Sequence, residues 1–147
     1  MTPVGWPPAP PEQDVLLAVR LVGAPVPKGR ARHGNGRTFT PEQTRSFEAG
    51  VALQVRAAMR GRAPILGLVG ARIHYVLPDR TADLDNLVKS TLDGASLLKA
   101  PRKGAVPMGR AIRNDKQVRQ LVVTEQIDKA NPHTVLVIYR LPAGETA

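Results

Sequence analysis

The tightest constraint on the fold is a change of hydrophobic period in the middle of the chain. Val69, Ala71, Ile73, Tyr75 and Leu77 alternate with Gly70, Arg72, His74 and Val76, so residues 66–77 read as a strand with one buried face. Pro78 stops it. From Leu84 the period becomes helical: Leu84, Leu87, Val88, Thr91, Leu92 and Ala95 gather on one side of a helix spanning about 84–98. A strand leading into an amphipathic helix needs a sheet for the helix to cover, so all-α and all-β folds are excluded.

The flanking segments fit that frame. Residues 14–22 (DVLLAVRLV) read as a strand closed by Gly23 and Pro25. Thr38 and Phe39 suit a short return strand. A second helix has a clear start, with Thr40 as N-cap, Pro41 in the first turn and Gln43 completing a capping box. Phe47, Val51, Val55 and Ala58 form its apolar stripe, and Gly61 marks its end. Residues 99–114 lack a period and read as a loop. Residues 117–126 and 134–141 close the chain as strands. The fold class expected is α+β (mixed α/β): a sheet of four or five strands with two main helices packed on it.

One domain over residues 14–141 accommodates this, between a proline-rich tail (1–13, expected to be poorly ordered) and a short C-terminal tail (142–147). Trp6, inside the first tail, receives no role. The chain has no cysteine, which excludes disulfides, thiolate metal sites and a cysteine nucleophile. It has neither a membrane-length apolar run nor a signal-peptide pattern, so a cytoplasmic protein is expected.

Charge points to the partner. Lys and Arg number 21 against 12 Asp and Glu, a formal charge of +9. Such an excess suits a polyanion, with nucleic acid first. The basic residues cluster. Lys28, Arg30, Arg32 and Arg37 lie in a stretch without acids, and Lys99, Arg102, Lys103, Arg110, Arg113, Lys116 and Arg119 have Asp115 as their only acid. These clusters suit phosphate contacts, which are independent of base sequence and sensitive to salt. The structural alternative is a solvated loop. Aromatics are too few for a base-stacking platform.

The chemistry-bearing stretch is Asp83-Leu84-Asp85-Asn86-Leu87-Val88-Lys89-Ser90-Thr91-Leu92-Asp93. Asp85, Lys89 and Asp93 are four apart and share a polar face, while Asp83 precedes the helix and is able to turn toward Asp85. Carboxylates so placed suit a hard divalent cation, and a lysine beside them suits a phosphate oxygen. An N-cap at Asp83 and an ordinary i,i+4 ion pair between Asp85 and Lys89 explain the same residues structurally. Asn114-Asp115-Lys116-Gln117 precedes a strand, where Asp115 reads either as a third ligand facing the start of a neighbouring helix or as a turn residue. The histidines His33, His74 and His133 show no ligand spacing. No Walker loop, dinucleotide fingerprint or Ser-His-Asp logic is present.

These motifs resemble the RusA family of Holliday junction resolvases. The likeness runs through Val26-Pro27-Lys28-Gly29-Arg30-Ala31-Arg32, Arg37-Thr38-Phe39-Thr40-Pro41, Asp83 to Lys89 with Leu92-Asp93, and Asp115-Lys116-Gln117-Val118, in order, over about residues 15–141. The resemblance implies a homodimeric Mg²⁺-dependent endodeoxyribonuclease, with Mn²⁺ able to substitute, that cuts four-way DNA junctions by paired symmetric nicks. It implies a metal and catalytic role for Asp83, Asp85 and Asp115, a catalytic or phosphate-contacting role for Lys89, and a supporting role for Asp93. No nucleotide cofactor or membrane is implied. Phosphate contacts are expected at Lys28, Arg30, Arg32, Arg37, Lys103, Arg110 and Arg113. Two departures stand out: Asn114 occupies a position where the family carries a second Asp, leaving it a supporting role, and the 99–114 loop is longer. The competing readings are a broader nuclease acting on flaps or forks, a non-catalytic DNA-binding protein, and an RNA-binding accessory protein.

Overall fold

A computed structural model describes residues 8–29, 40–97 and 110–141. After a short 3-10 turn at Glu12–Asp14 come β1 (Val15–Val22), α1 (Pro41–Met59), β2 (Val69–Leu77) and α2 (Leu84–Ala95). A second 3-10 turn at Asp115–Gln117 leads into β3 (Val118–Ile127) and β4 (His133–Arg140). The strands form one mixed sheet in the order β1-β4-β2-β3, so the fold is α+β, with four strands and two helices among the described residues. β4 pairs antiparallel with β1 and β2, while β2 and β3 run parallel. A parallel neighbour requires a crossover, and α2 belongs to it.

Both helices share the core on one face of the sheet. Val51, Val55 and Met59 of α1 and Leu87, Val88, Leu92 and Ala95 of α2 join Val69, Ile73, Tyr75, Leu77, Leu136 and Ile138 from the strands. The period-two reading of β2 holds, since its odd-numbered residues from Val69 to Leu77 are all buried. Gly94 lets the helices approach closely. A Cβ there would lie 2.7 Å from Cβ of Val51 and 2.9 Å from the Glu48 carbonyl oxygen.

The capping box at Thr40 forms as the sequence predicts: the Thr40 hydroxyl accepts from the Gln43 amide and the Gln43 side chain accepts from the Thr40 amide. α1 ends at Met59 because Arg60 and Gly61 turn left-handed, at φ 50° and 76°. α2 is shorter than predicted. It stops at Ala95, whose carbonyl accepts from the amides of Ala111 and Ile112, while Leu97 donates to the Ile112 carbonyl. β2 starts later than predicted, after the left-handed Gly67 (φ 84°). The return strand at 38–39, and the 99–114 loop up to residue 109, lie outside the described residues. Among the described residues no helix is long and apolar enough to cross a membrane.

Candidate active site

α2 presents its polar stripe because its other side is fully occupied. Leu87 and Thr91 are buried, and the Thr91 hydroxyl bonds the Tyr75 hydroxyl at 2.7 Å beneath the helix. Burial holds the Tyr75 phenol well above the usual tyrosine range, against the opposing effect of that hydrogen bond. The helix is therefore fixed in rotation, which leaves Asp85 and Lys89 exposed and Asp93 half-buried.

The structural explanations of these acids fare unevenly. Asp83 occupies the N-cap position with an extended backbone, but its side chain makes no cap hydrogen bond. Its carbonyl accepts from the Leu87 amide at 3.1 Å. The i,i+4 pair of Asp85 with Lys89 is not formed, and among the described residues neither side chain enters an ion pair. The loop before α2 is shaped independently. Asp79 accepts from the amide and hydroxyl of Thr81, and Arg80 pairs with Glu125 of β3 at 2.9 Å.

Asp93 has a partner that sequence reasoning assigned elsewhere. The Lys28 ammonium donates to Asp93 Oδ2 and to Glu48 Oε2, each at 2.8 Å. Partial burial acts to lower the Lys28 pKa, but the hydrogen bonds and charges of Asp93 and Glu48 outweigh it and hold the group above the ordinary lysine value. Lys28, predicted as a phosphate contact, thus has its charge already balanced within the fold. Glu48 was missed. Its signal was a carboxylate on the inward side of α1, between buried Thr44 and Val51.

The Asp115 end is built by hydrogen bonds. Asn114 caps the 3-10 turn, its Oδ1 accepting from the Lys116 amide at 3.0 Å. Gln117 was also missed as an individual residue, although its motif was recognised. Its Oε1 accepts from the amides of Arg113 and Asn114, and its Nε2 donates to the carbonyls of Ile65 and Gly67 at 2.8 and 2.9 Å. Buried Ala111 and Ile112 anchor the approach. Asp115 is exposed, with exposed Arg110, Arg113, Lys116 and Arg119 around it in sequence. Arg30, Arg32, Arg37 and Lys103 lie outside the described residues.

The topology separates the two groups. Ile112 bridges Ser96 at the C-terminal end of α2, and Val118 pairs with Val69 at the start of β2. Asp83 follows the end of β2 and begins α2. One twelve-residue helix, ~18 Å long, lies between the two ends. Among the described residues no three acid or histidine side chains stand together as a metal site. Within one chain, the strand that follows Asp115 begins at the opposite end of α2 from Asp83 and Asp85.

His74 is a structural residue on the other face of the sheet, with its ring nitrogens bonded to Thr124 and Gln126 of β3 at 2.7 and 2.9 Å. The His133 ring bonds the Asn131 carbonyl.

A family model described as endodeoxyribonuclease RusA matches residues 23–139, most of the chain. Comparison with curated proteins gives no match.

Proposed function

The chain belongs to the RusA family of endodeoxyribonucleases, and from that premise we propose that it resolves four-way DNA junctions as a Mg²⁺-dependent homodimer. The observation that carries this reading is the state of the α2 stripe. Asp85 and Lys89 are exposed and, among the described residues, in no ion pair. An exposed carboxylate and ammonium one turn apart, not engaged with each other, are available to a cation and a phosphate oxygen.

The donor chemistry suits Mg²⁺, a hard cation held by one or two carboxylates and substrate phosphate. When bound, such an ion polarises a phosphoryl oxygen and activates water. Asp83 and Asp85 are the ligands proposed at the helix start, and Lys89, one turn along, contacts a phosphate oxygen. Arg110, Arg113 and Lys116 contact the DNA backbone beside Asp115.

A site that also uses Asp115 needs two copies of the chain. Among the described residues β3 is an edge strand, with Leu121 46 % and Ile127 38 % exposed. Antiparallel pairing of β3 with the β3 of a second copy sets the start of one strand beside the end of the other. The end of β3 lies next to the end of β2, where the Asp128 amide donates to the Leu77 carbonyl. From there the chain runs into Asp83. Asp115 of one copy therefore approaches Asp83 and Asp85 of the other, twice per dimer. Two sites related by a two-fold axis match a substrate that needs two symmetric nicks.

The test is nicking of a synthetic four-way junction in Mg²⁺, with EDTA, linear duplex and flap controls. Cutting confined to the junction and lost in EDTA is expected. Equal cutting of every DNA removes the junction preference and keeps the nuclease. Binding without cutting in either Mg²⁺ or Mn²⁺ favours a non-catalytic DNA-binding protein.

A further inference from the structure

The segment that leads into the first basic cluster, with Lys28 as its last residue, is gripped at three points. The Val26 carbonyl accepts from Ser90 Oγ at 2.5 Å, the Pro27 carbonyl accepts from Thr44 Oγ1 at 2.8 Å, and the Lys28 amide donates to the Asn86 carbonyl at 2.9 Å. Ser90 and Asn86 belong to α2 and Thr44 to α1, so residues 26–28 are docked on both helices. That docking delivers the Lys28 ammonium to Glu48, which is 6 % exposed, and to Asp93.

Both carboxylates bond the same nitrogen and so stand close together. Without the Lys28 ammonium between them, two negative charges would lie side by side and attract another cation. Asp93 has one other lysine on its own helix, at i−4: Lys89, exposed and in no ion pair among the described residues. Side chains four apart on a helix are neighbours. Removing the Lys28 charge would draw Lys89 toward Asp93, one turn away from Asp85.

Resting on the nuclease reading of α2, we propose that Lys28 is a positioning residue. By neutralising Asp93 and Glu48 it keeps the Lys89 ammonium available at the Asp85 end of the stripe, and it is not itself a DNA contact.

The test is steady-state nicking of a four-way junction by the full chain in Mg²⁺. Lys28→Met is expected to lower kcat by about tenfold with KM changed less than about twofold, the pattern of an interaction made in the transition state. Lys28→Arg, which keeps the charge, should fold and retain most of kcat. Lys28→Met combined with Asp93→Asn should recover to the kcat of Asp93→Asn alone, because the carboxylate competing for Lys89 is gone. A purely structural clamp would not recover in the double variant, and that result overturns the proposal. So does a raised KM with a shallower salt dependence and unchanged kcat, which would make Lys28 a phosphate contact. Unchanged kinetics overturn it too. The Lys89 side-chain ¹⁵Nζ resonance decides the matter without activity: it should shift in Lys28→Met and return in the double variant. If the unmodified chain cuts no DNA, the nuclease reading fails, while this resonance still supports or overturns the Lys28–Asp93–Lys89 coupling.

Discussion

The two ends of the β2-α2-β3 unit carry the proposed ligands, and they are held by different physics. At the Asp83–Asp85 end a helix is pinned by burial, with Leu87, Val88, Leu92 and Ala95 in the core and Gly94 set against Val51. At the Asp115 end a short turn is pinned by hydrogen bonds converging on Gln117. Packing fixes a whole helix face at once, so a stripe of side chains inherits its order. The approach to the turn is anchored by buried Ala111 and Ile112, but the turn itself is largely exposed and is fixed only where the side chains of Gln117 and Asn114 reach. The difference predicts that the helix end will resist local change and the turn end will not.

The strongest way to break the comparison is to remove one ligand from each end. Asp85→Asn and Asp115→Asn should each lower junction nicking by more than about a hundredfold, beyond the loss typical of an outer partner of a metal ligand. Junction binding in a gel-shift assay should persist. Mixing and refolding the two inactive variants should restore nicking, because half of the mixed dimers' sites receive both intact carboxylates. Mixed dimers of this kind should nick one strand only. If the mixture stays inactive while each variant still dimerises, the ligands do not come from two copies.

The helix end was legible in the sequence because its determinants are local. The Thr40-Pro41-Gln43 cap and the α2 stripe depend on spacings of three and four, and both formed. What local pattern could not give was where α2 stops, since its last carbonyl is taken by Ala111 and Ile112 from beyond residue 109. Nor could it give the distance between the acid groups. That depends on β3 running parallel to β2, which puts the start of β3 at the far end of α2. The partners of Lys28 were hidden for the same reason: a lysine in a basic stretch reads as a phosphate contact, and only the fold sets Glu48 and Asp93, 20 and 65 residues away, against it.

Next in size are the stabilities of the two ends. Leu87→Ala removes a fully buried side chain beneath Asp83 and Asp85 and should cost about 2–5 kcal/mol in chemical denaturation. The loss should be global, since this side chain lies in the one core shared by both helices and the sheet. Gln117→Ala leaves two amides and two carbonyls without their partner and should cost about 1–3 kcal/mol. Its effect should be concentrated at the turn. Amide exchange at residues 113–118 should accelerate more than exchange in α2, and nicking should fall more steeply than the melting temperature. Equal acceleration at both ends would mean that the Asp115 turn is held by the core after all.

The smallest effect tests the departure at Asn114. Asp and Asn have nearly the same shape and cap about equally well, and Oδ1 of either accepts from the Lys116 amide as Asn114 does at 3.0 Å. Asn114→Asp should therefore leave stability within about 0.5 kcal/mol, as for a surface change that keeps its hydrogen bond. It adds a negative charge next to Asp115 amid exposed Arg110, Arg113 and Lys116. If Asp115 is a metal ligand, the added charge should lower the Mg²⁺ concentration for half-maximal nicking several-fold, with little change in the rate at saturating Mg²⁺. The same charge would repel DNA phosphate, so an effect through DNA contact has the opposite sign: a higher KM for the junction at every Mg²⁺ concentration. A shift in Mg²⁺ requirement without a shift in KM assigns Asp115 to the metal, and a shift in KM alone returns the turn to the DNA-binding surface.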